Sequence, residues 1–319
     1  MKDKINTKSF IYGPVPSRRL GYSLGLDIVQ YKVCTYDCIY CQIGKTTDKI
    51  IDRTPYIPAD IIIQQALKKL NESQHPDFIT IGGSGEPTLN SEIGLIINEI
   101  KKNTRIPLAV ITNGSMFWDE QIVNSLMPAD VILPSLDAYY NLIFEQINRP
   151  HPDINFEKMV NSLITFRKIY QGKIWLEIFL LDGINISEES AYKFKAWVEK
   201  INPDKVHLNT AVRPTSEKFA KIALHDDMEK FSKIIGEKAE IIVDIKREKR
   251  TENEVDVDSE ILNIISRRPS TVEDIESILG ISKLVIFKHI DNLVEKKCLD
   301  KIKQKELFFY QIKEQNRPL

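Results

Sequence analysis

Between residues 23 and 244 short apolar runs rich in β-branched residues alternate with amphipathic stretches, and no other property of the chain restricts its fold so tightly. The strand-like runs are Ser23 to Tyr31, Asp77 to Ile81, Pro107 to Thr112, Val131 to Ser135, Lys173 to Leu181, Lys205 to Asn209 and Glu240 to Asp244. Helix-like stretches lie near Ala59 to Leu70, Glu92 to Lys102, Asp119 to Leu126, Phe156 to Tyr170, Ser187 to Lys200 and His225 to Gly236. Strand, helix and strand in succession pair their strands in parallel through right-handed crossovers. The expected class is therefore α/β, with six such units forming a partial (β/α)6 TIM-like barrel. In barrels of this kind the working groups collect on the loops after the carboxyl ends of the strands.

The chain of 319 residues is 42% hydrophobic and 28% charged, which places it among ordinary globular proteins. At ~150 residues per domain its length predicts two domains. No apolar run approaches the ~18 to 20 residues that span a bilayer, so no membrane partner is expected. The segment Met1 to Asn6 lacks the apolar core of a secretory signal, and the cytoplasm is the expected compartment. A net charge of -1 gives no global pull toward nucleic acid, so such a partner requires a local basic patch.

Three of the four cysteines, Cys34, Cys38 and Cys41, fall in one run, Val33-Cys-Thr-Tyr-Asp-Cys-Ile-Tyr-Cys-Gln42. Three thiolates so close in sequence hold three corners of an iron-sulfur cube and leave the fourth iron open to a small molecule. Plain burial suits a polar, turn-rich run poorly. A structural zinc site needs a closed set of four ligands, and His75 and Cys298 are both remote in sequence. A disulfide framework is not needed by a chain of this length. The cluster reading accounts for the spacing best.

With Tyr40 between the last two cysteines, the run resembles the C-x3-C-x-aromatic-C signature of the radical S-adenosylmethionine (SAM) enzymes. The motifs around it, in order Gly13-Pro-Val-Pro-Ser-Arg-Arg-Leu-Gly21, Gly82-Gly-Ser-Gly-Glu-Pro-Thr-Leu89, Thr112-Asn-Gly114, Ser135-Leu-Asp-Ala138 and Ile147-Asn-Arg-Pro150, are similar to the branch that includes wyosine-type tRNA synthases. The resemblance runs from about residue 10 to residue 215. It implies a [4Fe-4S] cluster on Cys34, Cys38 and Cys41, with SAM chelating the open iron. It further implies that Gly83, Ser84, Gly85 and Glu86 hold the amino end of SAM, that Tyr40 meets the adenine, and that Asn113, Ser135 and Asp137 bind its ribose and methionine parts. The implied chemistry is reductive cleavage of SAM to a 5′-deoxyadenosyl radical that abstracts a hydrogen atom. The electron would come from a donor such as flavodoxin or ferredoxin. The wyosine synthases carry further cysteines ahead of this motif for a second cluster, and this chain has none before Cys34, which sets that particular tRNA reaction apart.

The residues suggest roles of their own. Glycines 82, 83 and 85 allow close backbone approach, and Glu86 offers an anion to an ammonium group. Asn113 and Ser135 are equally ordinary turn formers, and Asp137 alternatively faces substrate. Arg149, Asn209 and Arg213 fall at strand ends on the same rim and are the candidate substrate contacts, the arginines for carboxylate or phosphate. His207 reads as a hydrogen-bonded structural residue. Arg18 and Arg19 have no evident role.

From 246 to 255 a solvated run of charge interrupts the apolar periodicity, dividing the chain into a barrel domain (1–245), a linker (246–255) and a second domain (256–319). Beyond it the pattern predicts helices over 259–267, 272–279 and 282–296, then strands over 299–302 and 307–312. This order resembles a winged helix-turn-helix, an α+β unit. Seven lysines lie between residues 283 and 305 against three acids, a face suited to tRNA or another nucleic acid, or to protein docking, or simply solvated. Cys298 is expected to be half-buried packing. Two function classes follow: a radical SAM enzyme, with tRNA among its candidate substrates, and a nucleic-acid-binding regulator whose cluster senses redox state or SAM.

Overall fold

A computed structural model describes residues 9–72, 76–242, 257–304 and 306–313. Its centre is an open sheet of eight strands laid side by side in chain order. Strand β1 (Ile11–Ser17) is antiparallel to β2 (Gly21–Leu26). All later neighbours are parallel: β3 (Phe78–Ile81), β4 (Leu108–Thr112), β5 (Val131–Pro134), β6 (Lys173–Leu180), β7 (Lys205–Thr210) and β8 (Ala239–Ile241). Helices α1 (Ala59–Glu72), α2 (Ile93–Asn103), α3 (Glu120–Leu126), α4 (Asn141–Asn148), α5 (Phe156–Ile169), α6 (Glu188–Ile201) and α7 (His225–Ile235) form the crossovers. The sequence accounted for all of these but β1 and α4.

The Gly13–Gly21 motif, expected as a loop ahead of the first strand, contains β1 itself. Pro14 and Pro16 lack an amide N–H, which a strand tolerates at a sheet edge, where β1 lies. The first expected strand also ends earlier, at Leu26, because the chain turns there toward the cysteines. Of the last expected strand, residues 243 and 244 lie outside the described residues.

Alternation along the strands sorts the two faces of the sheet. On β6, Ile174, Leu176, Ile178 and Leu180 join the core beneath the helices. Between them, Trp175 packs in a second cluster around Leu20, and Glu177 and Phe179 face an interior cavity. Leu20, with Phe78, Ala109, Val131, Leu133 and Trp175, fills the lower barrel and gives it a floor. Side-chain caps fix where helices start: Asp119 accepts from Gln121 N, and Ser187 accepts from Ser190 N ahead of Glu188 and Glu189.

The C-terminal residues form α8 (Val257–Arg267), α9 (Val272–Leu279), α10 (Lys283–Glu295) and an antiparallel hairpin, β9 (Leu299–Gln304) with β10 (Leu307–Ile312). The order is the expected one. Ile261, Ile265, Ile275, Ile286, Ile290 and Tyr310 make a core of their own, with Cys298 half-buried against it. The charged run 246–255 lies outside the described residues. Helix α9 packs beside β1. Arg267 Nη1 reaches Asp27 Oδ2 at 2.6 Å just after β2, and Arg213 Nη2 beyond β7 reaches Asp274 Oδ1 at 2.8 Å. The C-terminal helices thus lie across the side of the open barrel. Among the described residues no helix is long and apolar enough to cross a membrane.

Candidate active site

The cysteine loop follows β2. Cys34 belongs to a two-residue parallel pairing with Asp48–Lys49, and a tight turn carries Cys41 N to Cys38 O at 3.1 Å. None of the cysteines is in a disulfide. Each of the three sulfurs accepts an N–H bond from a different side chain. Asn113 Nδ2 lies 3.7 Å from Cys34 Sγ, Asn148 Nδ2 3.5 Å from Cys38 Sγ, and Lys32 Nζ 3.2 Å from Cys41 Sγ. Burial pushes the Cys34 thiol up to about 12, with Glu86 adding to the rise, and lifts Cys38 well above the ordinary thiol range, with Asp137 adding. Burial works against the charge of Lys32, yet the three cysteines hold its pKa above the ordinary value. Thiolates placed so need a strong cation to persist.

Among the described residues no three His, Cys, Asp or Glu side chains are arranged to share a single metal ion. A closed zinc site requires such sharing, whereas in an iron-sulfur cube each thiolate holds its own iron. Three thiols with separate N–H donors suit the cube, because hydrogen bonds to the sulfurs are one way a protein sets its potential.

Beneath the cysteines runs the glycine loop after β3. Gly82, Gly83 and Gly85 all border the cavity. A Cβ on Gly85 would stand 2.0 Å from the Val33 carbonyl oxygen, so only glycine fits against the cysteine loop there. The side chains between these glycines point elsewhere. The Ser84 hydroxyl and amide both donate to Asp27. Glu86, expected to offer an anion to an ammonium group, is committed to protein partners: Oε1 accepts from Thr88 N, Thr88 Oγ1 and Thr112 Oγ1, and Oε2 from Asn113 N at 2.7 Å. Burial raises its pKa against these four bonds. Glu86 braces the rim, and the surface left toward the cavity is glycine backbone.

The strand-end residues divide similarly. Tyr40 borders the cavity, stacked on Phe179 with centroids 4.0 Å apart, and its hydroxyl donates to Asp137. Asp137 is 2% exposed and also accepts from Asn148 Nδ2 at 2.8 Å and Phe179 N at 3.0 Å, so three protein donors converge on it and it positions the Tyr40 ring. Burial raises its pKa to about 6. Asn113 is turned toward the cysteine loop, bonded to Thr35 Oγ1 at 2.7 Å. Ser135 is half-buried and pairs with Glu177 through a β-bridge.

Of the substrate candidates, only Asn209 borders the cavity. Arg149 holds Glu217 at 2.7 Å and tethers the cysteine loop, its carbonyl accepting from Asp37 N and Lys49 Nζ. Arg213 is bound to Asp274 and docks the C-terminal helices. Both were expected at the rim as cations for carboxylate or phosphate, and each lies beside a protein carboxylate from a distant segment. His207 is buried edge-on to Trp175, as a structural histidine should be, although Nδ1 has no hydrogen-bond partner among the described residues. Arg19 gains a role the sequence did not suggest: it pairs with Glu177 across the barrel. The cavity is about 590 Å³, bounded by the cysteine loop above, the strands behind, and Asn263, Ile264 and Arg267 of α8 at the side. Asp27 and Glu177, lone acids in apolar runs of sequence, were signals of an interior polar site. Asn148 and Lys32 gave none.

Residues 28–194, which include the three cysteines and the glycine loop, match the profile of the Radical SAM superfamily. The chain belongs to the radical SAM superfamily. It is 35% identical over 307 residues to UPF0026 protein MJ1312 of Methanocaldococcus jannaschii, covering 94% of each chain. It is 33% identical over 308 residues to the UPF0026 protein of Helicobacter pylori, covering 94% of this chain and 96% of that one. A 39% identity over 297 residues links it to a protein of Brachyspira hyodysenteriae named GTPase Obg, of which the chain spans 44%. Among solved structures, TYW1 with a lysine-pyruvate adduct bound shares the fold at 18% identity and a TM-score of 0.51, over 67% of this chain and 72% of that one. A radical SAM methyltransferase from Sphaerobacter thermophilus does so at 16% identity and a TM-score of 0.52, over 69% and 65%. The protein is thus an iron-sulfur enzyme whose cofactors are a [4Fe-4S] cluster and SAM.

Proposed function

We propose that Cys34, Cys38 and Cys41 ligate the cluster, that the glycine loop and Tyr40 hold SAM, and that a hydrogen atom is taken from a substrate bound in the cavity between barrel and C-terminal helices. The bound cofactors supply a 5′-deoxyadenosyl radical once a donor such as flavodoxin or ferredoxin delivers an electron. The chain's own residues bind, orient and exclude water. Bare backbone at Gly82, Gly83 and Gly85 admits close approach, and the Tyr40 ring, fixed by Phe179 and Asp137, offers a flat contact. Leu20 and the Arg19–Glu177 pair close the floor. The observation that carries this reading is three sulfurs, each with a side-chain N–H donor, on a loop whose Cys34 and Cys41 border a walled cavity.

Anaerobic reconstitution followed by dithionite and SAM should yield 5′-deoxyadenosine, and Cys38→Ala should abolish it. Product surviving in Cys38→Ala would refute the ligand assignment. The same assay separates the enzyme from a regulator that only senses redox state or SAM, which has no use for a floored cavity and should release none. A tRNA substrate draws support from the outer face of α10 and the hairpin. Phe287, next to Lys288 in sequence on α10, and Phe308, with Lys301 and Lys303 over its ring on the hairpin, are each 45% exposed, and exposed aromatics beside cations are surfaces on which unpaired bases stack. Nucleoside profiling of tRNA from cells with and without the protein tests it. So does a salt-dependent gel shift with tRNA that duplex DNA fails to give.

A further inference from the structure

The barrel interior holds an ion pair whose hydrogen-bonding capacity is only half used. Glu177 stands on β6 two residues above Trp175, and Arg19 reaches it from the turn between β1 and β2. Both side chains are largely buried, and both border the cavity. The contact is end-on. Arg19 Nε donates to Glu177 Oε2, and among the described residues Arg19 Nη1, Arg19 Nη2 and Glu177 Oε1 have no hydrogen-bond partner. Burial works against the charge of Glu177, yet Arg19 holds its carboxyl below the ordinary range, so both groups are ionised and offset each other. A buried pair of charges is well satisfied only when its remaining lone pairs and protons also find partners. Two residues further along β6, Phe179 lies in register with Asn209 of β7, and neighbours in register on parallel strands share a face. Asn209 is 2% exposed and borders the cavity. Its Oδ1 accepts from Thr210 N at 2.9 Å, which orients the amide and leaves Nδ2 without a partner among the described residues. Donors on Arg19 and Asn209 and an acceptor on Glu177 thus line one wall, above the Leu20 and Trp175 floor and beside the Tyr40–Phe179 stack.

We propose that Arg19, Glu177 and Asn209 form a recognition site for a neutral amide edge of the substrate, a carbonyl beside an N–H, as a carboxamide or a keto nucleobase carries. This rests on the reading that the cavity is where the substrate binds. The carbonyl accepts from Arg19 and Asn209, and the N–H donates to Glu177 Oε1. Because Arg19 and Glu177 already cancel, a carboxylate or phosphate placed between them would be a buried charge with no counter-charge of its own. An amide brings only the acceptor and the donor that the wall lacks. A cavity of about 590 Å³ that must also admit SAM leaves room for one such ring or side chain, with Asn263 and Ile264 of α8 closing the side.

The test is calorimetric titration of three probes into the full-length reconstituted protein: nicotinamide, its carboxylate counterpart nicotinate, and uridine. Saturating SAM is present and reductant absent, so that SAM keeps its own place and is not consumed. Nicotinamide or uridine should bind saturably, and nicotinate at least ~10-fold more weakly, the scale of one mismatched buried hydrogen bond. Binding by nicotinamide alone names a carboxamide, and by uridine alone a nucleobase. Glu177→Gln strips Arg19 of its counter-charge and should reverse the order, so that nicotinate binds more tightly than nicotinamide. Asn209→Asp keeps the acceptor for Thr210 N but removes the donor, and should weaken the neutral probe at least ~10-fold. Saturable binding by neither neutral probe, a wild-type preference for nicotinate, an unreversed order in folded Glu177→Gln, or undiminished binding in Asn209→Asp overturns the proposal. Should Glu177→Gln fail to fold, Asn209→Asp, which leaves the ion pair intact, decides. Iron and sulfide content and 5′-deoxyadenosine release, measured on the same preparation, report the underlying reading separately. A protein that passes both and binds neither neutral probe refutes the recognition site alone.

Discussion

Lys32 is 2% exposed, with its ammonium 3.2 Å from the Cys41 sulfur. A cation there favours the more electron-rich state of a metal held by that sulfur. Lys32→Met should therefore make the reconstituted cluster harder to reduce, seen as a lower midpoint in a redox titration, and an unchanged midpoint would show the charge to be screened. Gly85 is constrained by contact: a methyl group 2.0 Å from the Val33 carbonyl oxygen forces the two loops apart. Gly85→Ala should retain the far-ultraviolet circular dichroism of the wild type yet lose most of its iron, and full iron loading would contradict the packing argument. The cysteines were legible in the sequence because their chemistry is local to eight residues. Asn148 was not, since its partner Cys38 lies 110 residues away and an asparagine in a turn motif has no signature for sulfur. The protein partners of Glu86 and Asp137 were hidden for a related reason. A carboxylate on a rim looks available until its donors are counted, and those come from neighbouring strand ends that only folding brings near.

At the scale of elements, the parallel strands and their helices follow from periodicity, while β1 did not, because two prolines in seven residues argue against any strand but an edge one. Helix α8 has the larger consequence. Its Arg267 pairs with Asp27 at 2.6 Å, with both side chains largely buried, and Asp27 also holds the amide and hydroxyl of Ser84 in the glycine loop. The helix is thereby tied to the loop proposed to hold SAM. Removing one partner of a buried ion pair costs ~3–5 kcal/mol. Arg267→Met should accordingly raise amide hydrogen exchange across α8 and weaken SAM binding severalfold. Unaltered SAM affinity with α8 exchange increased would confine Arg267 to docking.

At the scale of the whole molecule, two buried groups set opposing responses to acid. Burial lowers the His207 pKa to about 4, whereas an unfolded imidazole takes its proton near ~6.5. As the pH falls between those values the unfolded chain gains a proton that the folded one refuses, and stability declines by ~2 kcal/mol by pH 5. Asp137, raised to about 6, acts in the other direction, since the folded form is protonated first and stability returns as the pH falls from 6 toward ~4. In His207→Gln the difference in urea-unfolding free energy between pH 7 and pH 5 should shift toward acid resistance by about that amount, ~2 kcal/mol. An unshifted difference would mean that His207 is solvated in the native state. The division into a barrel and a C-terminal helical unit was legible as a change of pattern, but where the second sits was not. Its anchors join residues 240 and 61 positions apart, and no local pattern encodes such pairings.

The two parts contribute unequal things. The three candidate ligand sulfurs and, among the described residues, their side-chain donors come from residues 32 to 148, whereas the side wall comes from residue 257 onward. Under the proposed function, ignition and appetite would be encoded in separable stretches of the gene. Lineages that preserve the first and remodel the second would keep one spark while changing what it burns.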